Sequence, residues 1–391
     1  MTAQRILFLD HTAALGGAEL CLLDVAAHFR ERSLVVVMED GPLLGALERR
    51  GVRVEVLSRG ASLRQVKRES AVPGFAAIGA VMGAAQAVAR LARSFDVVYA
   101  NSQKAFVVAC ASAAFARRPV LWHLHDILDP TVFSRVNIAL DVFLANHVAA
   151  RVIANSQATA SALRARGGTR VPIAVVYNGI DLSVADGVPA ADIAAARASF
   201  GAGTGVVLGL FGRLAPWKGQ DVAIRALALL GAEQPEVHLV IVGDALFGEE
   251  SYAVELRTLV TSLGLGARVH FLGFRADVPL LMHAVDVLVH TSTAPEPFGR
   301  VIVEGMLAHR PVIATAGGGA SEIVKAGVTA WQVMPNDPAG LAAAIREVLA
   351  DPKRARDVAA AGRAEAVSRF TLDVTLPQTE RSIALAAGVR A

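Results

Sequence analysis

The chain has 391 residues, 54% of them hydrophobic and only 19% charged, which suits two α/β domains and excludes a disordered or low-complexity protein. Its formal charge is +3, but residues 1–180 hold 20 Lys and Arg against 13 Asp and Glu, a net of +7. That asymmetry points to an acidic partner of the first half, phosphate or a membrane surface. The isoelectric point near 9.1 alone does not argue for nucleic acid, because the aromatic interleaving of single-strand readers is missing. The two cysteines, Cys21 and Cys110, stand in apolar helical contexts and read as core thiols of a reducing compartment. No CxxC or Cys/His cluster suggests zinc.

The N-terminus is not a signal peptide, since its apolar run covers only Ile6–Leu9 before Asp10. Arg5–Leu9 reads as a buried strand, followed by a turn at Gly16-Gly17 and a helix from Ala18 to about Phe29. A strand, a glycine turn and a helix can present backbone N–H groups to an anion. The spacing is not G-x-G-x-x-G, so an ordinary strand-to-helix turn fits equally well. Leu34–Met38 and Arg53–Leu57 are the next strands. Residues 59–70 are basic and 71–89 carry no charge. The second stretch reads as a buried helix or, with the first, as an interfacial segment on a bilayer, and not as a span. Asp96–Ala100 and Pro119–His123 are strands, the latter leading into His123-Leu124-His125-Asp126. Alternation puts His123 and His125 on one face at a strand's C-terminal end, where α/β active sites form. Arg151–Ala154 and Ile173–Tyr177 complete this half as a parallel, doubly wound sheet.

Residues 186–200 read as a linker, and a second strand-helix series begins at Gly201. Its five strands end in small or polar residues: Val206–Phe211 in GRLAPWKGQD, Val237–Val242 in GDA, Arg268–Leu272 in GF, Val287–His290 in TST, and Val312–Thr315 in AGGG. Arg213 and Lys218 leave one short loop bracketed by Gly212 and Gly219. A guanidinium and an ammonium from one loop suit a diphosphate, the first as a fork and the second as a point charge. Further on, Glu296 and Glu304 flank a close-approach Phe298-Gly299 and the start of a helix. Taken alone, that acid pair also allows hydrolase-like chemistry.

Together, GRLAPWKGQD at 212–221, Glu296 and Glu304 with seven residues between them, PVIAT with its glycine loop and SEIV, and YNGID at 177–181 resemble a glycosyltransferase of family 4. The likeness runs from GGAE at 16–19 to the region of Phe370. It implies a retaining enzyme of GT-B fold, two Rossmann-like doubly wound domains facing a central cleft. Residues 1–185 would form the acceptor domain, 201–370 the nucleotide-sugar domain, and 371–391 a tail packing back on the first. The resemblance implies a UDP- or GDP-sugar donor. Glu304 would hold the ribose hydroxyls, and Glu296, with the backbone of Phe298 and Gly299, the sugar hydroxyls. Arg213 and Lys218 would neutralise the leaving diphosphate, and the N–H groups of Gly16 and Gly17 would complete that cradle on domain closure. His125 would stand near the anomeric centre, with His123 supporting it. Gly212, Gly243, Gly273 and Phe274 would line the nucleotide.

No Asp-x-Asp triplet occurs, so neither a metal nor a cofactor is expected. The resemblance implies front-face attack, with a donor phosphate oxygen taking the acceptor's proton. The expected acceptor is a glycan or a polyprenyl-linked glycan, met in the cytoplasm or at the membrane's inner face through residues 59–89. A nucleotide-sugar epimerase, a phosphorylase and a non-catalytic sugar-nucleotide-binding subunit are the alternatives. The phosphorylase lacks an assignable pyridoxal-phosphate lysine. Two positions depart from the family pattern, His309 and Ala330, where glycine is usual.

Overall fold

The computed structural model describes residues 4–57, 75–231, 234, 236–245 and 248–389. Thirteen strands form two parallel sheets among these residues. The first sheet comprises β1 (Ile6–Asp10), β2 (Ser33–Val37), β3 (Val54–Val56), β4 (Val97–Ala100), β5 (Val120–Leu124), β6 (Ala149–Ala154) and β7 (Ile173–Val175), in the order β3-β2-β1-β4-β5-β6-β7. The second comprises β8 (Val206–Phe211), β9 (Val237–Val242), β10 (Val269–Gly273), β11 (Val287–His290), β12 (Val312–Thr315) and β13 (Trp331–Val333), in the order β10-β9-β8-β11-β12-β13. Every residue of β1, β2, β4 and β5 is buried. Helices on both faces explain the unbroken apolar runs, because a parallel strand so covered has no solvent side to alternate toward.

Each sheet reverses its order once, beside β1 and β4 in the first and beside β8 and β11 in the second. Ligands of open parallel sheets bind outside the strand C-termini at such a reversal. The loops that leave these strands therefore set the two regions to inspect.

Contacts divide the chain into Met1–Gly179 with Leu372–Ala391, and Ile180–Thr371. The first core is built around Trp122, stacked on Phe106 at 4.2 Å, and around Tyr99, edge-on to Phe8 at 4.9 Å. Helix Leu372–Ala386 adds Ile383 and Ala386 to that unit's core and pairs Glu380 with Arg32 at 2.5 Å. The stretch read as a linker is not one. Helix Ala190–Ser199 belongs to the second unit, where Arg197 donates to the Gly205 and Ala284 carbonyls at 2.6 and 3.0 Å and meets Asp286 at 2.7 Å. Strand β13 was not anticipated, because three residues are too few for a periodic signal.

The basic stretch 59–70 lies wholly outside the described residues and the apolar stretch 71–89 partly so. What is described of it belongs to helix Phe75–Ala92, which packs on helix Gln103–Ala116 and buries Ala84, Ala85, Val88 and Ala89 while leaving Met82 exposed. His309 takes a left-handed φ of 58° just past helix Arg300–Leu307. Glycine is the natural occupant of that conformation, so the departure costs local strain and nothing at the strand ends.

Candidate active site

In the second unit the chemistry gathers on one carboxylate. Glu296 is 5% exposed, and its Oε1 receives the Lys218 ammonium, the Ser292 hydroxyl at 2.8 Å and His290 Nε2 at 3.1 Å. An ionised carboxylate can only accept, so His290 carries a proton on Nε2. Burial by itself would raise the Glu296 carboxyl's pKa. The charges of Lys218 and His290 and their hydrogen bonds outweigh it and hold the carboxyl well below the usual range. Thr315 supports the group from β12, donating to the Ser292 carbonyl at 2.9 Å.

Backbone geometry explains how Lys218 reaches this point. The loop after β8 turns through Gly219 at φ 65°, where a Cβ would lie 2.1 Å from the Thr291 carbonyl oxygen. Thr291 in turn donates its hydroxyl to the Lys218 carbonyl at 2.9 Å, and Thr293 N–H to Trp217 at 2.8 Å. The Lys218 ammonium and the Arg213 guanidinium lie 4.1 and 5.7 Å from the Trp217 ring centroid. The Gly318 loop locks Glu296 similarly: Gly319 N–H donates to its carbonyl at 2.7 Å, and a Cβ at Gly318 would come within 2.1 Å of it.

The remaining predicted donor residues fall on neighbouring strand ends. Gly212 N–H donates to Val242 and Gly243 N–H to Gly273, each at 2.9 Å, and a Cβ on Gly243 would lie 2.0 Å from the Gly212 oxygen. Phe274 is 62% exposed beside them. Phe298 is buried edge-on to Phe370 at 5.8 Å, so only its backbone faces outward chemistry, and Gly299 at φ 104° opens helix Arg300–Leu307. Glu304 lies in that helix, 3.4 Å from the Arg300 Nε and partly exposed. Arg213, Lys218 and Glu296 thus share one neighbourhood. His290, Ser292 and Thr315 join it unforeseen.

In the first unit Asp10 is wholly buried and accepts from Asn101 Nδ2 at 2.7 Å and from His11 N–H at 2.6 Å. Burial opposes its ionisation, but His11, Asn101 and Ser102 keep the pKa below the ordinary value. The second amide hydrogen of Asn101 goes to the Ala18 carbonyl at 3.2 Å. Asn101 Oδ1 therefore faces His125 Nε2, 3.0 Å away, and fixes the proton on that nitrogen. His125 Nδ1 is itself buried, although the residue as a whole is only partly so. His123 is buried beside it with ring centroids 3.9 Å apart, and shares a 2.5 Å hydrogen bond with the Tyr99 hydroxyl. Burial and the neighbouring His125 keep His123 neutral.

Gly16 departs from expectation. Its N–H donates to Glu19 Oε2 at 3.1 Å, a capping-box arrangement that leaves it engaged within the chain. Burial and the Asp10 charge push the Glu19 carboxyl up to about 8. Gly17 is the first residue of helix Gly17–His28.

Asn101→Ala should strip a donor from the buried Asp10 carboxylate and release the His125 tautomer, costing about 1–3 kcal/mol of stability. Denaturant melts of wild type and variant check this; an unchanged midpoint would show that the pair is not structural.

Among the described residues, the group able to offer three metal-ligating atoms is Cys21, His123 and His125, with those atoms within 4.8 Å of one another. Sulfur and imidazole suit zinc or copper, whereas the magnesium or manganese that bridges diphosphates takes oxygen ligands. These residues do not fit a diphosphate-bound cation.

Two Rossmann-like parallel-sheet domains, with cations and carboxylates at the strand ends of the second, define a GT-B glycosyltransferase. The chain belongs to glycosyltransferase family 4: the model described as Glycosyltransferase Family 4 matches residues 15–184, and that of Glycosyl transferases group 1 matches residues 193–365. The structure is similar to HepE from Anabaena in complex with UDP-glucose, at 42% identity and a TM-score of 0.89, covering 97% of this chain and 99% of that one. The sequence is also 34% identical to D-inositol 3-phosphate glycosyltransferase of Mycolicibacterium gilvum over 54% of this chain and 47% of that protein. The lipopolysaccharide core biosynthesis glycosyltransferase LpsE of Rhizobium meliloti is 34% identical over 41% of this chain and 44% of its own. The chain spans about half the length of these two curated relatives. No helix among the described residues is long and apolar enough to cross a membrane.

Proposed function

We propose that this chain is a retaining glycosyltransferase that moves a sugar from a uridine diphosphate donor to a glycan or lipid-linked glycan, in the assembly of a cell-surface polysaccharide or glycolipid. The observation that carries the proposal is the 42% identity, over 97% of the chain, to Anabaena HepE, which was crystallised with UDP and with UDP-glucose. The chemistry of the second unit supports it. Departure of UDP concentrates negative charge on the diphosphate, and fixed cations stabilise that charge most where water is scarce. Arg213 and Lys218 supply two such cations from one loop, with no divalent ion required.

Lys218 is held by Glu296 before the donor arrives. On binding, the ammonium shifts toward the diphosphate while Glu296 turns its carboxylate to the sugar hydroxyls, so one buried pair exchanges for two charge-assisted contacts. Glu304 takes the ribose hydroxyls. Acceptor attack from the face that the leaving group vacates, with its proton passing to a phosphate oxygen, retains the anomeric configuration.

Thermal shift with UDP, GDP, ADP and their glucose conjugates, with and without EDTA, tests donor and metal together. UDP and UDP-glucose should raise Tm in proportion to affinity and concentration, EDTA or not. Stabilisation by GDP or ADP alone would discard the uridine donor, and loss of the shift in EDTA would discard the metal-free diphosphate site.

A further inference from the structure

Three soft ligand atoms meet at one end of the first sheet. Leu121, His123 and His125 alternate along β5 and its exit, so their side chains share one face. Cys21 of helix Gly17–His28, 3% exposed, packs in one core cluster with Leu121 and with Tyr99 of β4. The Cys21 sulfur and one ring nitrogen of each histidine lie within 4.8 Å of one another. The sequence shows no zinc motif because the cysteine stands far from the His-x-His pair, and only the packing of the helix on the strand ends joins them.

The hydrogen bonds around the rings choose the ligating nitrogens. His123 Nδ1 is 2.5 Å from the Tyr99 hydroxyl. Its Nε2, in a residue 3% exposed, has no hydrogen-bond partner among the described residues. A buried polar atom so left costs about 1–3 kcal/mol, and an ion is one of the occupants that relieves it. His125 Nε2 is engaged by Asn101 Oδ1 at 3.0 Å, so Nδ1 is the nitrogen that would ligate. With protons on His123 Nδ1 and His125 Nε2, each ring donates outward and keeps a lone pair on its other nitrogen. Metal-bound imidazoles ordinarily have this support. Asn101 is itself fixed by the ionised Asp10 at 2.7 Å, so a carboxylate stands behind the His125 ligand.

We propose that Cys21, His123 and His125 bind one zinc ion in the first domain, a thiolate and two neutral imidazoles filling three of four tetrahedral positions. Thiolate and imidazole select zinc over the hard cations magnesium and calcium. At zinc's bond lengths, about 2.3 Å to sulfur and 2.0–2.1 Å to nitrogen, tetrahedral ligand atoms stand about 3.3–3.6 Å apart. The ion therefore draws the three atoms together by no more than about 1.5 Å, starting from separations within 4.8 Å. Water takes the fourth position, since His125 is partly exposed. The bound ion ties helix Gly17–His28 to the end of β5 and holds the His125 ring in one orientation. The site lies in the first unit and stands apart from the donor reading. Stripping zinc with EDTA lowers the starting Tm and leaves the increment added by UDP in place.

The test is titration of the metal-free full chain with cobalt(II) and then with zinc. One cobalt per chain should bind, with a thiolate-to-metal charge-transfer band and the strong visible absorption of a tetrahedral ion, and zinc should displace it stoichiometrically. Cys21→Ser should abolish the charge-transfer band, and His123→Gln should weaken zinc at least tenfold. Asn101→Ala, which removes the group behind a ligand, should weaken zinc about 10–100-fold. His238→Gln is the control: His238 and His270, with ring nitrogens 3.1 Å apart, form an imidazole pair in the second unit and should not matter. Far-UV circular dichroism of the metal-free variants, matching that of metal-free wild type, shows that they fold. Absence of the charge-transfer band in wild type, or a band that survives Cys21→Ser, overturns the proposal. Binding that His238→Gln removes also overturns it, by moving the ion to the second unit. Uptake of copper(I) with refusal of zinc would overturn the zinc assignment.

Discussion

Lys218→Ala should lower sugar transfer by about 10²–10³-fold, the usual loss when one charge-stabilising group is removed from an acyl- or phosphoryl-type site. It should also destabilise the fold, which a purely catalytic cation would not do. Glu296 is 5% exposed, and deleting its ammonium partner leaves a buried carboxylate supported only by His290 and Ser292. Breaking a buried ion pair from one side costs about 3–5 kcal/mol. The pH dependence separates the two effects. In wild type the Glu296 carboxyl is depressed, so its contribution is present above the unfolded value of about 4.3 and is lost only as the pH falls through the far lower folded value. Wild type therefore draws no pH dependence from Glu296 between pH 5 and 8. In the variant, burial prevails and raises the carboxyl's pKa; stability is then retained below about pH 4.3 and lost as the pH rises through the new folded value. Urea melts at pH 5 and pH 8 should differ more for Lys218→Ala than for wild type, whose own difference comes from groups such as Glu19 and His123 and not from Glu296. Adding Glu296→Gln should restore most of the stability and none of the turnover. A single variant as stable as wild type at pH 8 would contradict the pairing, and a double variant that recovers turnover would remove Lys218 from the chemistry.

The strands of the second sheet were readable because parallel strands covered on both faces must be largely apolar; β8, β9, β11 and β12 begin and end at the residues expected of them. The family pattern rested on the same stretch, since glycines at 219, 243 and 318 stand where the chain passes within contact of another backbone. The polar seat of Glu296 was not readable. His290, Ser292 and Thr315 each look like one polar residue closing a strand, and only the β8-β11-β12 adjacency brings them to one region. Gly16 is a different case. Its partner Glu19 stands three residues on, the capping-box interval, so the signal was present but was outweighed by the glycine turn's resemblance to an anion site. His125 was placed by its strand end and by the family resemblance, and nothing in the sequence told that Asn101, 24 residues earlier, would hold its ring nitrogen.

Glu304→Ala should weaken UDP about 10–100-fold while leaving the fold nearly as stable. A hydrogen bond to a charged group contributes about 1.5–3 kcal/mol when its partner is otherwise unsatisfied. The Arg300 pair that the substitution removes is an i,i+4 contact, at 3.4 Å, with Glu304 only partly buried; such pairs contribute about 0.3–0.5 kcal/mol. A loss of affinity alone would not say which part of the nucleotide Glu304 touches, so the decisive comparison is between UDP and 2′-deoxy-UDP. Wild type should prefer UDP at least tenfold, because the deoxy ligand leaves the carboxylate without its donor. In Glu304→Ala the two ligands should bind within about twofold of each other, since neither has a carboxylate to satisfy. That pattern is a coupling between one side chain and one hydroxyl, and a structural disturbance cannot imitate it, because both ligands would suffer alike. If the variant keeps the wild-type preference, the ribose contact belongs to another group and Glu304 serves only to hold Arg300. The outcome also bears on Glu296: with the ribose assigned to Glu304, the carboxylate that Lys218 releases is left to face the sugar.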